Sequence, residues 1–233
     1  MTPRPLSDER GITLIELLVG MVIGIVVLGG IVQMVTVTAK SSGRVSERVA
    51  ADKAARPAFL RLMNELHSTC VMPQLAPVQA GSTSSSITFI QGTGSAVTVT
   101  PNKRVVTFNK AARTLTDTAY PATGGTAPAW TFSSTPSSVY KLSNVDQING
   151  TVPIFSYYAI VNGQISPTPL STTPSLSAAN AAKTVQVDVN LAVYPQTSGS
   201  SDEPGAPIEL TDSAILRFTP TVEENTDPNV PCT

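Results

Sequence analysis

The sequence predicts an α+β fold in which a long N-terminal helix packs on a mainly antiparallel β-sheet head. The first indication is an uncharged, largely apolar run of 23 residues from Leu17 to Ala39. The second is a stripe of apolar residues at helical spacing near residue 60, and the third is strand-like alternation between turn-rich segments further along the chain. We expect one long helix, with a membrane half and an amphipathic half, followed by strands.

The composition is more typical of an exported protein than of a cytosolic enzyme. Only 13% of the 233 residues are charged, against roughly 25% in an average soluble domain. The formal net charge of −1 gives no bulk attraction to nucleic acid or acidic membranes. His67 is the only histidine, and no HExxH, GxSxG, P-loop or GxGxxG motif is present. We therefore expect a protein that is not an enzyme and uses no cofactor.

The apolar run is long enough to cross a membrane. As a helix it would measure about 35 Å at roughly 1.5 Å per residue, and a bilayer core is about 30 Å thick. Gly20 and Gly24 have the small-xxx-small spacing that lets helices approach closely in membranes. The run is a transmembrane segment or a signal sequence, and its length leaves both interpretations open.

Glu16 lies inside the apolar block that begins at Ile12. A carboxylate at the centre of a membrane helix costs roughly 2.5–3.5 kcal/mol on insertion scales, and less near an end. A cut between Gly11 and Ile12 would create an α-amino group four residues before Glu16, about 6 Å away along the helix axis. A neighbouring helix shifted along this axis could bring its own ammonium group to the carboxylate instead. Because unpaired charge is penalised in apolar surroundings, we expect pairing between subunits.

The segment Gly11–Val19, with the sequence GITLIELLV, resembles the prepilin cleavage and methylation motif. This motif begins type IV pilins, type II secretion pseudopilins and competence pseudopilins. The resemblance implies cleavage after Gly11 by a prepilin peptidase, N-methylation of Ile12, and a docking role for Glu16. Ile12 stands where phenylalanine is commoner. Gln33 stands where many major pilins carry a helix-kinking proline, which weakens assignment as a major pilin.

Two other interpretations of the N-terminal segment compete with this one. An ordinary secretory signal could end at the small residues of 37–39, and a plain single-pass anchor would keep the whole segment. The uncharged run is long for a secretory signal, and Glu16 interrupts its apolar block. We expect a leader at 1–11, a transmembrane helix at 12–39, an amphipathic half at 40–70 and an exported head at 71–233. The protein would then be a single-pass protein of the bacterial inner membrane.

The amphipathic half is predicted by a stripe with the spacing i, i+3, i+4, i+7 and i+11. Its members are Phe59, Leu62, Met63, Leu66 and Cys70. We expect the helix to continue to about His67 and to pack this stripe on the head. Pro57 is expected to kink or split the helix, because proline has no N–H and clashes with the preceding turn.

The remaining chain has the pattern of strands. The clearest alternation runs from Val185 to Val193, where every second residue is apolar. Further strands are predicted at 86–90, 96–100, 104–109, 130–132, 154–161 and 208–218, and turn-rich runs at 121–129, 166–180 and 196–207.

The head also carries a looser resemblance. The order Phe155–Tyr158, Asn162-Gly163, Val185–Tyr194 and Ala214–Arg217 resembles larger minor pilins of the PilW type and J-type pseudopilins. The strand–turn–strand pattern of Arg104–Leu115 is similar to a segment of theirs. The resemblance implies a minor subunit that primes or caps a fibre.

The two cysteines, Cys70 and Cys232, flank nearly the whole head. In an oxidising compartment, a bridge between them would tie the tail to the end of the long helix. Such a bridge would stabilise by about 5 kcal/mol in the chain-entropy model. Free thiols and an intermolecular link are the alternatives.

The tail is rich in side-chain oxygen atoms that could hold calcium, on Glu223, Glu224, Asp227 and Asn229. The segment lacks the spacing of an EF-hand. We therefore interpret it as a solvated acidic end and expect no metal site.

Four cations cluster around one predicted hairpin: Lys103, Arg104, Lys110 and Arg113. They could contact DNA phosphates in a competence pilus. Four charges without interleaved aromatic residues are more often a solvated face, so DNA is an unlikely partner.

Together these patterns predict a non-enzymatic minor pilin or pseudopilin. The expected partners are a prepilin peptidase, other pilin or pseudopilin subunits, an inner-membrane assembly platform and the lipid bilayer. The alternatives are a pilus-displayed receptor for DNA or a surface, and an exported enzyme held by an anchor. The lack of a plausible catalytic constellation argues against the enzyme.

Overall fold

The computed structural model of the protein describes residues 13–70, 75–95, 98–126, 128–196 and 206–216. The chain forms two compact units, the first ending at Ser46 and the second beginning at Glu47. One long N-terminal helix is followed by antiparallel sheets, so the predicted α+β, pilin-like fold is confirmed.

Helix α1 spans Leu14–His67. Thr13 caps its start, because the Thr13 Oγ1 atom accepts the Glu16 backbone N–H at 3.3 Å and satisfies a donor that has no partner inside the helix. The helix continues through Pro57, so the split expected there does not occur. Pro57 leaves only one backbone carbonyl without its usual donor, and the surrounding run of alanine, arginine and lysine favours helix.

In the described residues, the first sheet has five antiparallel strands. These are β1 (Ser86–Ser95), β2 (Thr98–Asn109), β3 (Thr114–Thr126), β4 (Ala129–Phe132) and β5 (Ser138–Ser143). The order is β1-β2-β3-β4, and β5 pairs with the first part of β3. The outer edge of β1 is partly covered by isolated bridges from Thr69 and Val78.

The second sheet also has five antiparallel strands within the described part of the chain. These are β6 (Val145–Asp146), β7 (Phe155–Val161), β8 (Gln164–Ile165), β9 (Thr184–Val193) and β10 (Ile208–Ile215). The order is β10-β9-β7-β8, and β6 pairs with β9. Helix α2 (Ala178–Lys183) precedes β9, and a 3-10 turn at Ile148–Gly150 follows β6.

The core lies between the C-terminal part of α1 and the inward faces of both sheets. The alternation predicted for β9 is confirmed, since Val185, Val187, Val189 and Leu191 are all fully buried. The helical stripe is confirmed as well. Four of its members join the main core cluster, whereas Cys70 is buried in a smaller cluster with Leu75 and Ile90.

Several sequence-based assignments differ from the structure. The strands predicted at 96–100 and 104–109 are not separate, because one strand, β2, runs through Thr98–Asn109. The predicted turn at 121–129 is largely strand, because β3 continues to Thr126 and pairs with β4. The predicted turn-rich run at 166–180 includes the start of α2, whose N-cap Ser177 accepts the Asn180 N–H at 3.2 Å. Strand β5 was not predicted, since only Leu142 of its side chains is buried.

Candidate functional site

The first part of α1 presents an almost wholly apolar surface. All 17 leucine, isoleucine, valine and methionine side chains between Leu14 and Val37 are between 52% and 82% exposed. Among the described helices, α1 is the one long and apolar enough to cross a membrane, with a mean hydropathy of 2.6 over its best window. A continuous apolar surface of this length calls for lipid or other apolar helices around it.

Glu16 is the only charged residue of α1 before Lys40. It lies in the first turn and is exposed, at the end of the helix where the backbone dipole favours a negative charge. None of the residues that the structure describes donates a hydrogen bond to its carboxylate or forms an ion pair with it. In apolar surroundings this carboxylate therefore requires a partner from elsewhere.

Gly20 and Gly24 follow Glu16 at intervals of four residues, which places all three on one side of α1. A Cβ atom built on either glycine would meet nothing within 4 Å. A second helix could therefore approach the backbone closely on the side that carries the carboxylate.

Some predicted site residues lie outside the described part of the chain. Gly11 and Ile12 precede it, so cleavage and methylation there remain predictions. Cys70 is fully buried, but Cys232 is outside the described residues and the bridge between them also stays a prediction. The acidic tail from Glu223 to Asn229 is outside them too.

The four predicted cations do not form one surface. Lys103 and Lys110 are separated by about 23 Å of chain at roughly 3.3 Å per extended residue. The Lys103 ammonium lies 5.0 Å from the ring centroid of Tyr120 and 5.8 Å from that of Phe132. Aromatic rings of β3 and β4 therefore accompany Lys103, contrary to the expectation of cations without aromatic neighbours.

The other two exposed or half-buried cations lie near the turn between β2 and β3. The Lys110 Nζ atom is 3.4 Å from Gln147 Oε1. The Arg113 guanidinium lies 4.5 Å from the ring centroid of Tyr194 and 3.6 Å from an Asp146 carboxylate oxygen. These contacts partly satisfy both cations within the head.

Arg104 requires a correction, because it is not on the solvated face expected for the hairpin. It points inward from β2 and is 6% exposed. Its guanidinium contacts the carboxylates of Glu65 on α1 and Asp117 on β3. A phosphate could reach Arg104 only if this buried contact opened.

The buried trio of Glu65, Arg104 and Asp117 was missed by the sequence analysis. Burial raises the pKa of the Asp117 carboxyl to about 7, helped by a hydrogen bond and charge repulsion from Glu65 and opposed by Arg104. A signal was present in the sequence. Arg104 occupies an inward position of a predicted strand, in register with Val106 and Phe108, where a charged residue needs buried partners.

Residues 6–32 match the family model of the prokaryotic N-terminal methylation motif. This match supports a type IV pilin-like protein, and together with the apolar helix it fits an inner-membrane-anchored pilin that is later assembled into a filament. The matched segment includes Gly11, Ile12, Glu16 and both glycines of the exposed face. No curated protein and no solved structure matches the chain significantly.

Proposed function

We propose that this chain is a non-enzymatic minor pilin or pseudopilin of a type IV pilus or a type II secretion-like filament. The observation that supports this most strongly is the methylation motif at 6–32, which coincides with an exposed apolar helix whose first turn carries a lone carboxylate. A structural subunit needs such a helix for assembly and needs no catalytic centre.

The first step is processing at the membrane. A prepilin peptidase hydrolyses the peptide bond between Gly11 and Ile12, and the new Ile12 amino group is N-methylated. The apolar part of α1 stays in the inner membrane while the head is exported. An inner-membrane assembly platform then moves the subunit from the bilayer into the fibre.

The second step is docking. In the fibre, the apolar side chains of α1 exchange lipid for the helices of neighbouring subunits, and the glycines at 20 and 24 permit close approach. The Glu16 carboxylate pairs with the α-amino group of an adjacent subunit. Because both charges leave water, removing either one would leave the other uncompensated, which typically costs about 3–5 kcal/mol.

Mass spectrometry of the mature protein tests the processing step. We expect an N-terminus at Ile12 that carries a methyl group. A chain beginning near Lys40 would identify an ordinary secretory signal, and a chain that keeps Met1 would identify a plain anchor. Either result would contradict the proposal.

A pilus-displayed receptor for DNA or a surface is the alternative function. It is favoured by the aromatic rings beside Lys103, since bases stack on aromatic side chains. It is weakened by the burial of Arg104. Replacing Lys103, Lys110 and Arg113 together with glutamine separates the two functions: fibre assembly should persist in either case, and DNA uptake should fall only if the chain is a receptor.

A further inference from the structure

Three charged side chains from three different elements meet inside the head. Glu65 of α1, Arg104 of β2 and Asp117 of β3 have side-chain exposures of only 10%, 7% and 9%. The Arg104 Nη2 atom contacts Glu65 Oε2 and Asp117 Oδ2. One cation therefore lies between two carboxyl groups at the contact of the helix with the first sheet.

The charges of this trio do not balance if both carboxyl groups are ionised, because one cation then faces two anions. The nearest further cation is Arg61 of α1, whose Nε atom lies 2.8 Å from Glu65 Oε1. Arg61 is 43% exposed and also stacks on Tyr140 of β5, so solvent screens much of its charge. These groups on α1, β2, β3 and β5 are the titratable and charged side chains that surround Asp117.

The hydrogen bonds of the trio indicate where a proton would be held. Asp117 Oδ1 is buried and has no hydrogen-bond partner in the described part of the protein, whereas Asp117 Oδ2 and Glu65 Oε2 both contact Arg104. A proton between the two carboxyl groups would supply a donor and would bring the trio to a net charge of zero. A narrow cleft lined by Arg61, Asp117 and Tyr140 lies beside the trio.

We propose that Glu65, Arg104 and Asp117 form a proton-dependent latch that holds the C-terminal part of α1 on the first sheet. With one proton shared by the two carboxyl groups, the trio is neutral and the contact is closed. When the proton leaves, the buried trio has a net negative charge and the helix–sheet contact weakens. The latch lies within the head and does not depend on the proposed role in a filament.

The direction of the pH effect follows from the raised pKa of Asp117, which is about 7 in the folded protein against 3.8 for the ordinary side chain. The folded state holds this proton more tightly than the unfolded state does. The stabilising contribution is therefore complete below the unfolded pKa, declines as the pH rises, and is lost above about 7.

The test is denaturant unfolding of the full chain in detergent micelles at pH 5 and pH 8, followed by the fluorescence of Trp130, the single tryptophan. We expect the unfolding equilibrium constant of the native sequence to rise by about tenfold or more between these pH values. The isosteric variant Asp117→Asn has no carboxyl group to ionise. Its unfolding equilibrium constant should therefore change by less than about threefold between the two pH values. Asp52→Asn is the matched control, because Asp52 forms an exposed ion pair with Arg56 and should keep the native pH dependence.

The proposal would be overturned if the unfolding of the native protein and of Asp117→Asn depended equally on pH. It would also be overturned if the unfolding of the native protein did not depend on pH. A second measurement does not need the variant to fold. Titration of the Asp117 side-chain carboxyl carbon by NMR should give a midpoint near pH 7. A midpoint near the ordinary value of about 4 for Asp117 would overturn the proposal.

Discussion

Two glutamates of helix α1, Glu65 and Glu16, lie in apolar surroundings. Only Glu65 has cationic partners among the described residues. Glu65 is buried in the head, where Arg104 and Arg61 contact its carboxylate. Glu16 lies on the apolar surface of the first part of the helix, and its carboxylate has no partner among the described residues. A carboxylate in low-dielectric surroundings needs compensation in both cases. The head supplies it from its own chain, whereas for Glu16 we propose that a second molecule supplies it.

Replacing Arg104 should destabilise the head most, because Arg104 is the cation that contacts both buried carboxylates. The variant Arg104→Met would keep most of the side-chain volume and leave Glu65 and Asp117 without their cation. We expect the free energy of unfolding to fall by about 3–5 kcal/mol in denaturant titration. Arg56→Met removes an exposed partner of Asp52 and should cost under about 1 kcal/mol. Equal effects of the two variants would mean that the buried trio has no special role in stability.

Replacing Glu65 should have a smaller effect, because Arg104 would keep Asp117 as a partner. For Glu65→Gln we expect a loss of about 1 kcal/mol from the weaker hydrogen bonds of a neutral amide. The pH dependence of unfolding should also move to lower pH, since the carboxylate that helps to raise the Asp117 pKa is gone. A pH dependence identical to that of the native protein would exclude coupling between the two carboxyl groups.

Replacing Arg61 should have the smallest effect on the head. Its side chain is 43% exposed, so the contact with Glu65 is largely screened. We expect Arg61→Gln to lower the free energy of unfolding by less than about 1 kcal/mol, again measured by denaturant titration. A loss as large as that of Arg104→Met would show that Arg61, not Arg104, compensates Glu65.

Features that repeat along the sequence could be predicted from it, whereas contacts between distant residues could not. The apolar run, the stripe from Phe59 to Leu66 and the alternation in β9 were readable, because burial and lipid contact impose a period on the sequence. The lone charge at Glu16 was readable for the same reason. The inward position of Arg104 was readable, but its partners were not. The three residues are 39 and 13 residues apart in sequence, and they meet only through the pairing of β2 with β3 and the packing of α1.

The segment from Pro121 to Ala129 shows a second limit. Its two prolines and two glycines indicate a turn, and Gly125 does adopt a left-handed conformation, with φ of +85°. A Cβ atom there would lie 2.4 Å from the Ala129 carbonyl oxygen, so glycine is required where β3 meets β4. Pairing with β4 nevertheless keeps the preceding residues in strand. Local composition identified the need for glycine, but tertiary pairing decided where the turn begins.

The proposed pairing of Glu16 with a neighbouring subunit is tested most directly by the variant Glu16→Gln. The stability of the head and the amount of the subunit in fibres are measured on the same variant. We expect no change in the free energy of unfolding of the head, and normal cleavage after Gly11, because this carboxylate has no described partner within the chain. We expect the amount of the subunit in sheared fibres, measured by immunoblot, to fall at least tenfold, while Gln33→Ala on the same apolar helix assembles normally. Incorporation of Glu16→Gln at the native level would contradict the proposal that a neighbouring subunit compensates Glu16.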